Sequence, residues 1–278
     1  MIKKLVSTTL FGVAVMIGFS SQKAHGLALP AILNFLPTVE VAAPKSEAGP
    51  DGNNRFLWDY FSTSGSSYLG SALWILDPAG NVIGTGDTMV PASVGGIAGT
   101  VAISFTQLHV NADNTTTLAF QFGGGPLLGG GGQISAFGTW TYNAQGKLIA
   151  FSGPTGFSPG PKKGLQIADM KFQGDHLVVI FQPANQAVGS TIVLGQGPYT
   201  VWVIDHFGNV VSTVGPQGPY TNYVLGSVTL SGSDSAPNQL WHWLSVVGTG
   251  AKEGFALSVQ EFNSSGASLS GVVYGPFN

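Results

Sequence analysis

The chain has 278 residues, of which 44% are hydrophobic and only 8% are charged, and it contains no cysteine. That length is sufficient for one or two domains with a full hydrophobic core. Without cysteine, disulfide bonds are excluded as a source of stability. The 41 glycines and the scarcity of charged helix formers disfavour long helices.

The first 26 residues have the pattern of a cleaved secretory signal of a bacterial type. A basic start at Lys3 and Lys4 precedes a mostly apolar run from Leu5 to Phe19, and Ala24-His25-Gly26 supplies a small-residue cleavage site. The apolar run is short for a membrane span. We therefore predict an exported protein, secreted or periplasmic, that is not inserted in a membrane after cleavage.

Removal of this leader makes the chain more acidic. It takes away 3 of the 10 basic residues and none of the 13 acidic ones, which leaves 7 against 13 and a formal net charge of −6. A weakly acidic surface with few charges disfavours binding to nucleic acid or to anionic membranes. Low charge also favours self-association, because copies of the chain repel one another only weakly.

A ten-residue pattern of strand, turn and strand occurs four times along the chain. In each copy an Asp or Asn stands three residues before a Gly, which suits a tight turn closed by a residue with positive φ. The four turn glycines are 66, 62 and 58 residues apart, and such a near-constant spacing indicates a repeat architecture. The copies are Trp74–Ile83, Trp140–Ile149, Trp202–Val211 and the weaker Gln260–Leu269.

Each repeat contains further strands on either side of this hairpin. An apolar strand precedes each hairpin, and the four such strands align on Leu57, Leu118, Leu177 and Leu240. Another strand follows the first three hairpins, but the chain ends at Asn278 before the fourth repeat supplies one. A segment of the same character lies at the other end, within residues 30–45.

This arrangement resembles a four-bladed β-propeller, an all-β fold of four-stranded antiparallel blades. The resemblance is architectural and covers nearly all of residues 30–278. It implies a single domain over residues 27–278, in which an N-terminal strand closes the last blade. The repeats would then span about 54–115, 116–175, 176–236 and 237–278, the last completed by 30–45. The alternative all-β fold is a pair of β-sandwich domains.

The recurring turn is predicted to be structural rather than catalytic or calcium-binding. Asp77 and Asp205 open two of the turns, whereas Asn143 and Asn263 open the others, and Asn can replace Asp in a turn but not as an acid. The tryptophans at the start of three copies are predicted to pack in the core, since large aromatic side chains dominate packing.

The repeats differ most at three consecutive positions of the strand that precedes the hairpin. The first repeat has Trp58, Asp59 and Tyr60 there, and the fourth has Trp241, His242 and Trp243, whereas the other two repeats are mostly apolar. In a closed ring the first and fourth blades are neighbours. These six side chains would then form a ligand-binding cluster whose aromatic faces suit a sugar. The alternative is that Asp59 and His242 satisfy each other inside a core that the tryptophans fill.

Three functions are compatible with this sequence. The leading hypothesis is an exported non-enzymatic β-propeller that binds a carbohydrate or another cell-surface component. The second is a structural or self-assembling protein of an extracellular matrix or filament. The third is a polysaccharide hydrolase or lyase that would use Asp59, His242 and Glu253. No metal-binding or cofactor-binding motif is present, so neither a metal nor a cofactor is predicted.

Overall fold

A computed structural model describes residues 39–41, 44–62, 68–88, 102–123, 135–155, 165–183, 186–188, 191–193, 197–218, 223–247 and 254–277. In these residues the chain forms β-strands and turns and no helix, which confirms the all-β class. Accordingly, none of the described segments is a helix that could cross a membrane. The predicted secretory signal and its cleavage site lie outside the described residues.

The first sheet contains five strands and is formed by the N-terminal part of the chain. Its strands are β1 (Val39–Val41), β2 (Lys45–Ala48), β3 (Asn54–Ser62), β4 (Tyr68–Leu76) and β5 (Val82–Thr88). Both β1 and β2 pair with β3, and β4 and β5 follow in sequence order. All pairs are antiparallel.

Three more antiparallel sheets follow along the chain, each of four strands in sequence order. The second sheet contains β6 (Ala102–Val110), β7 (Thr116–Gly123), β8 (Ser135–Tyr142) and β9 (Leu148–Thr155). The third contains β10 (Leu165–Gln173), β11 (His176–Pro183), β14 (Tyr199–Ile204) and β15 (Val210–Gln217). A small hairpin of β12 (Gln186–Val188) and β13 (Thr191–Val193) is inserted after β11. The fourth sheet contains β16 (Tyr223–Ser233), β17 (Ala236–Val247), β18 (Gly254–Phe262) and β19 (Ser268–Phe277).

The chain divides into two compact units. The first unit comprises Met1–Ala92 with Ala144–Lys147, and it contains the first sheet. The second unit comprises Ser93–Asn143 and Leu148–Asn278, and it contains the second, third and fourth sheets.

The strand pairing contradicts the predicted closure of the last sheet by residues 30–45. The described part of that segment, β1 and the start of β2, pairs with β3 in the first sheet. Among the described strands, the fourth sheet contains four, and all of them come from residues 223–277. The repeat therefore begins one strand earlier than the turn spacing suggested, because each sheet forms by local hairpin connections between successive strands. No sheet in the described part of the chain closes on itself.

The four predicted turns have one geometry. Their glycines all adopt positive φ, of 84° at Gly80, 80° at Gly146, 87° at Gly208 and 85° at Gly266. At three of them the opening side chain accepts a hydrogen bond from the backbone N–H four residues later, at 2.8 Å in each case. These bonds join Asp77 to Asn81, Asp205 to Asn209 and Asn263 to Ala267. The structural role predicted for these residues is confirmed.

Both faces of the third sheet are buried. One face carries Trp202 and Phe181, which pack with Phe137 of the second sheet. The other face carries Tyr199 and packs with Trp243 of the fourth sheet. This explains why β11 and β14 are apolar at nearly every position rather than at alternate ones. The core positions predicted for Trp202 and Trp140 are confirmed, since they are 2% and 4% exposed.

Gly174 and Gly215 of the third sheet show how differently two glycines with positive φ tolerate a side chain. Both have positive φ, but a Cβ at Gly174 would meet open space, whereas at Gly215 it would lie 2.5 Å from the Tyr199 carbonyl oxygen. We expect Gly174→Ala to cost about 1 kcal/mol through φ strain alone, and Gly215→Ala to cost at least twice as much. Urea denaturation of the two variants measures both losses. Equal losses would contradict the close backbone approach at Gly215.

Candidate functional site

Three of the six predicted ligand-binding residues are tryptophans in the core. Trp241 and Trp243 are 0% and 1% exposed on the face of the fourth sheet that packs on the third. Their ring centroids are 5.6 Å apart. In the first unit, Trp58 is 7% exposed and its ring lies 5.8 Å from that of Trp74. Packing therefore accounts for most of the surface of all three rings.

The other predicted site residues lie apart from this core or outside what the structure describes. His242 lies between the two tryptophans on β17, so its side chain points to the opposite face of the fourth sheet. There its Nε2 atom is 2.9 Å from the Thr229 hydroxyl. Asp59 and Tyr60 lie on β3, but the structure does not describe their side chains. Glu253 is outside the described residues. The pairing of Asp59 with His242 therefore stays a prediction.

The fourth sheet contains an open cleft of about 380 Å³ on the same face as Trp243. Strand register explains how its walls come together: Trp243 on β17 is opposite Ser258 on β18, which is opposite Val273 on β19. Gln260 and Gly271 are also cross-strand partners. The residues that line the cleft are Tyr223, Trp243, Ser258, Gln260, Gly271 and Val273.

The aromatic part of this cleft is rigidly held. The ring of Trp243 is in contact with Tyr199 of the third sheet at 5.9 Å and with Trp241 on the other side. The opposite wall is open because Gly271 has no side chain and Val273 is 63% exposed. A ligand could therefore meet a preformed apolar surface without displacing any core residue.

The polar part of the cleft consists of neutral groups. The Gln260 amide donates and accepts hydrogen bonds, and so do the hydroxyls of Ser258 and Tyr223. No carboxylate or imidazole is among the lining residues, so the lining lacks a general acid or base for neutral pH. Such a mixture of an apolar surface and neutral polar groups suits an uncharged polar ligand.

The cleft lies where the fourth repeat departs from the other three. Gln260 occupies the position held by Trp74, Trp140 and Trp202, three residues before the turn. In the third sheet Trp202 is opposite Thr213, and its indole fills the core. In the fourth sheet the smaller Gln260 is opposite Gly271, and space remains. The sequence signal for this cleft is therefore the exception to the repeat at Gln260, and not the aromatic residues of β17.

A second polar cluster connects the turns of the second and third sheets. The Asn111 amide donates to the hydroxyls of Thr115 and Thr117 at 2.8 Å, and the Thr141 hydroxyl donates to the His206 carbonyl. Asn111 and Thr141 are 0% and 1% exposed. Because both residues are buried and the Thr141 bond joins two packed sheets, the cluster is part of the core.

One carboxylate beside this cluster is also explained by its surroundings. Burial acts to raise the pKa of Asp113, but hydrogen bonds from the Thr115 hydroxyl and amide, with His206 nearby, hold it below its usual value. Within the described ranges, no three His, Asp or Glu side chains are grouped so that they could hold a metal ion.

In the part of the chain that the structure describes, the protein is all-β, with four large antiparallel sheets of similar topology and an open cleft on the fourth. No protein-family model, curated protein or solved structure matches the chain.

Proposed function

We propose that this chain is an exported, non-enzymatic binding protein whose ligand is a carbohydrate or another cell-surface component, held in the cleft of the fourth sheet. The observation that carries the proposal is that the fourth repeat has Gln260, opposite Gly271, at the position where the other three repeats have a tryptophan. The smaller side chain leaves a cleft beside the ring of Trp243. A repeat protein gains nothing in stability from such a gap, so a ligand is its best explanation.

The chemistry of the cleft favours a sugar over other small molecules. Sugar rings present an apolar face that packs on an exposed side chain such as Val273, and hydroxyls that pair with amide and hydroxyl groups. The volume of about 380 Å³ falls within the usual range for ligand sites. The absence of charge from the lining disfavours phosphorylated or acidic ligands.

The arrangement of the sheets as blades of a four-bladed ring belongs to the same proposal. Its support is the repeated turn and the stacking of three successive sheets within the second unit. Binding at the cleft does not depend on it, because all the lining residues belong to the fourth sheet.

Filling the cleft from its open side tests the proposal. A Cβ at Gly271 would have only the Val259 carbonyl oxygen within 4 Å, at 3.9 Å, so larger side chains fit the backbone and project into the cleft. We expect Gly271→Leu to weaken glycan binding by at least about tenfold, whereas Gly271→Ala weakens it less than about threefold. Both proteins should retain the wild-type melting temperature within a few degrees.

The measurement is a broad glycan array with the mature chain, followed by calorimetric titration of the best glycan into the two variants. Gln260→Ala, which removes the amide, is the third variant and should lose binding without loss of fold. Failure of the intact protein to bind any glycan overturns the proposal, and so does equal binding by Gly271→Leu and the wild type.

A hydrolase or lyase that uses His242 receives no support from this cleft. His242 is on β17 between Trp241 and Trp243 and therefore on the opposite face of the sheet from the cleft. The self-assembly hypothesis does have an observation in its favour, which lies on the edge of the same sheet.

A further inference from the structure

The last strand of the fourth sheet, β19, is a long uncharged edge. It contains ten residues and, among the described strands, pairs with β18 alone. No charged residue occurs in the chain after Glu261. The strand also exposes large apolar side chains, with exposed fractions of 54% at Leu269, 49% at Val272 and 48% at Tyr274. A long apolar edge without Lys or Glu is the kind of strand that pairs with another chain.

Three other edge strands of the second unit, β10, β15 and β16, each make hydrogen bonds to a neighbouring sheet. On β10, the Met170 carbonyl accepts a hydrogen bond from the Gln107 amide. On β16, the Gln173 side chain donates to the Val228 carbonyl at 2.6 Å and accepts from the Leu230 N–H at 3.1 Å. On β15, the Thr213 N–H donates to the Ser264 carbonyl at 3.1 Å.

By contrast, no side chain or strand among the described residues covers the free backbone edge of β19. The neighbouring sheet face is apolar as well. Val272 and Tyr274 are opposite Val259 and Leu257 of β18, and these are opposite His242 and Leu244 of β17. Leu244 is 41% exposed. We call this face, which carries Leu244, Leu257 and Tyr274, the outer face. Its apolar cross-strand rows extend as far as the edge strand β19.

We propose that β19 pairs antiparallel with β19 of a second copy of this chain, so that the two fourth sheets form one eight-stranded sheet. The mature chain carries a net charge of −6, so two copies repel elsewhere, but the uncharged edge contributes nothing to that repulsion. Two identical strands also match in length. Pairing over residues 268–274, which stops before Gly275 with its φ of 108° and Pro276 without an N–H, forms on the order of seven backbone hydrogen bonds, within the range that a typical protein interface carries.

The same pairing continues the apolar rows of the outer face from one copy to the other. Val272 and its counterpart meet near the two-fold axis, and their burial adds hydrophobic stabilisation to the backbone bonds. A filament is not expected from this contact, because a two-fold interface uses the same edge on both copies and closes at two copies.

Pairing of β19 would also bring two clefts together in the dimer. This point rests on the proposed function, whereas the pairing itself does not. Gly271 and Val273 line the cleft and lie on the edge strand. The two clefts of the dimer would open on one face, separated by two edge strands roughly 4.8 Å apart. Such a dimer would bind one long glycan chain at two points and gain avidity.

The first test is the mass of the mature chain by sedimentation velocity and light scattering over a hundredfold range of concentration. The variant Leu269→Lys/Val272→Lys places charge on the edge and leaves the cleft lining intact. Its matched control is Leu148→Lys/Ile149→Lys on β9, where the side chains are 46% and 47% exposed. We expect dimers for the wild type and the control and a monomer for the β19 variant. A wild type that is monomeric throughout, or a β19 variant that remains dimeric, overturns the proposal.

The second test uses the absence of cysteine from the chain. Single cysteines at positions 269 to 274 and at Ile149 each provide the only thiol in the protein. Mild oxidation should form disulfide-linked dimers within positions 269 to 274 and not at position 149. Equal cross-linking at the control position contradicts edge pairing. A monomer that still binds glycan overturns only the pairing, and a dimer that binds none overturns only the proposed function.

Discussion

Replacement of Trp241 by alanine is expected to lower the free energy of unfolding of the second unit by about 3–5 kcal/mol. Trp241 is completely buried, and its ring lies 5.6 Å from that of Trp243 and 5.3 Å from that of Phe262. Its Nε1–H donates to Gln239 Oε1 at 3.0 Å, and the Gln239 amide donates to Ser212 of the third sheet at 2.9 Å. The substitution therefore leaves a large cavity and a buried acceptor that has lost its partner.

Urea denaturation, followed by tryptophan fluorescence, measures this loss. Trp241→Phe keeps most of the ring but removes the N–H, so it should cost about 1–3 kcal/mol. The control is Phe255→Ala on the same sheet, where the side chain is 55% exposed and the expected change is within about 0.5 kcal/mol. If Trp241→Ala were as stable as the control, the packing of the fourth sheet on the third would be wrong.

This expectation changes how binding can be tested. The sequence alone suggests Trp241→Ala and Trp243→Ala as variants that lose a ligand and keep the fold. Because both side chains are buried, either substitution would weaken binding by destabilising the sheet itself. Gly271→Leu avoids this problem, since it enters the cleft from the solvent side.

Removal of Asp51 is expected to cost the first unit about 3 kcal/mol, because it takes a bidentate carboxylate away from a buried guanidinium. The Arg55 side chain is 0% exposed. Its two terminal nitrogens donate to the two carboxylate oxygens of Asp51 at 2.5 and 2.8 Å. Gly49 makes room for this guanidinium, because a Cβ there would clash with it. Asp51→Ala removes both bonds and leaves the positive charge inside the protein.

The same pair predicts a dependence of stability on pH. Hydrogen bonds from Arg55, which outweigh the effect of burial, lower the pKa of Asp51 from 3.8 to about 2. A carboxylate with a lowered pKa contributes its full stabilisation above pH 3.8 and loses it as the pH falls through about 2. The wild type should lose this part of its stability over that range, and Asp51→Ala should not.

Thermal unfolding between neutral pH and pH 2 tests both statements. Asp77→Ala is the matched control, because Asp77 also has a lowered pKa, caused by hydrogen bonds from Asn81, but it holds no buried cation. Its effect should be the smaller of the two. Identical pH profiles for wild type and Asp51→Ala would show that the ion pair does not contribute to folding.

Much of the local structure could be predicted from the sequence. The turns at Gly80, Gly146, Gly208 and Gly266 were predictable because a glycine at positive φ after an Asp or Asn is a local requirement. The burial of Trp202 was predictable because the surrounding run of apolar residues has no polar face. Both features depend on interactions between residues that are near one another in the chain.

The site could not be predicted in the same way. Trp241 and Trp243 stood out because they are aromatic, but their environment depends on the third sheet, which packs on them and buries them. Gln260 and Gly271 become a cleft only when strand register places them opposite each other and the expected indole is absent.

The repeat and its turns thus follow from the sequence, since backbone conformation and strand alternation are decided over a few residues. Which strand begins each sheet, which tryptophans are covered and which edge stays free follow only from the tertiary structure. The physical reason is that strand pairing and burial depend on residues that are distant in the chain. No local sequence pattern identifies which of these residues will come into contact. The exception at Gln260 shows the difference: the sequence reveals that the repeat is broken there, and only the fold reveals that the break is a cleft.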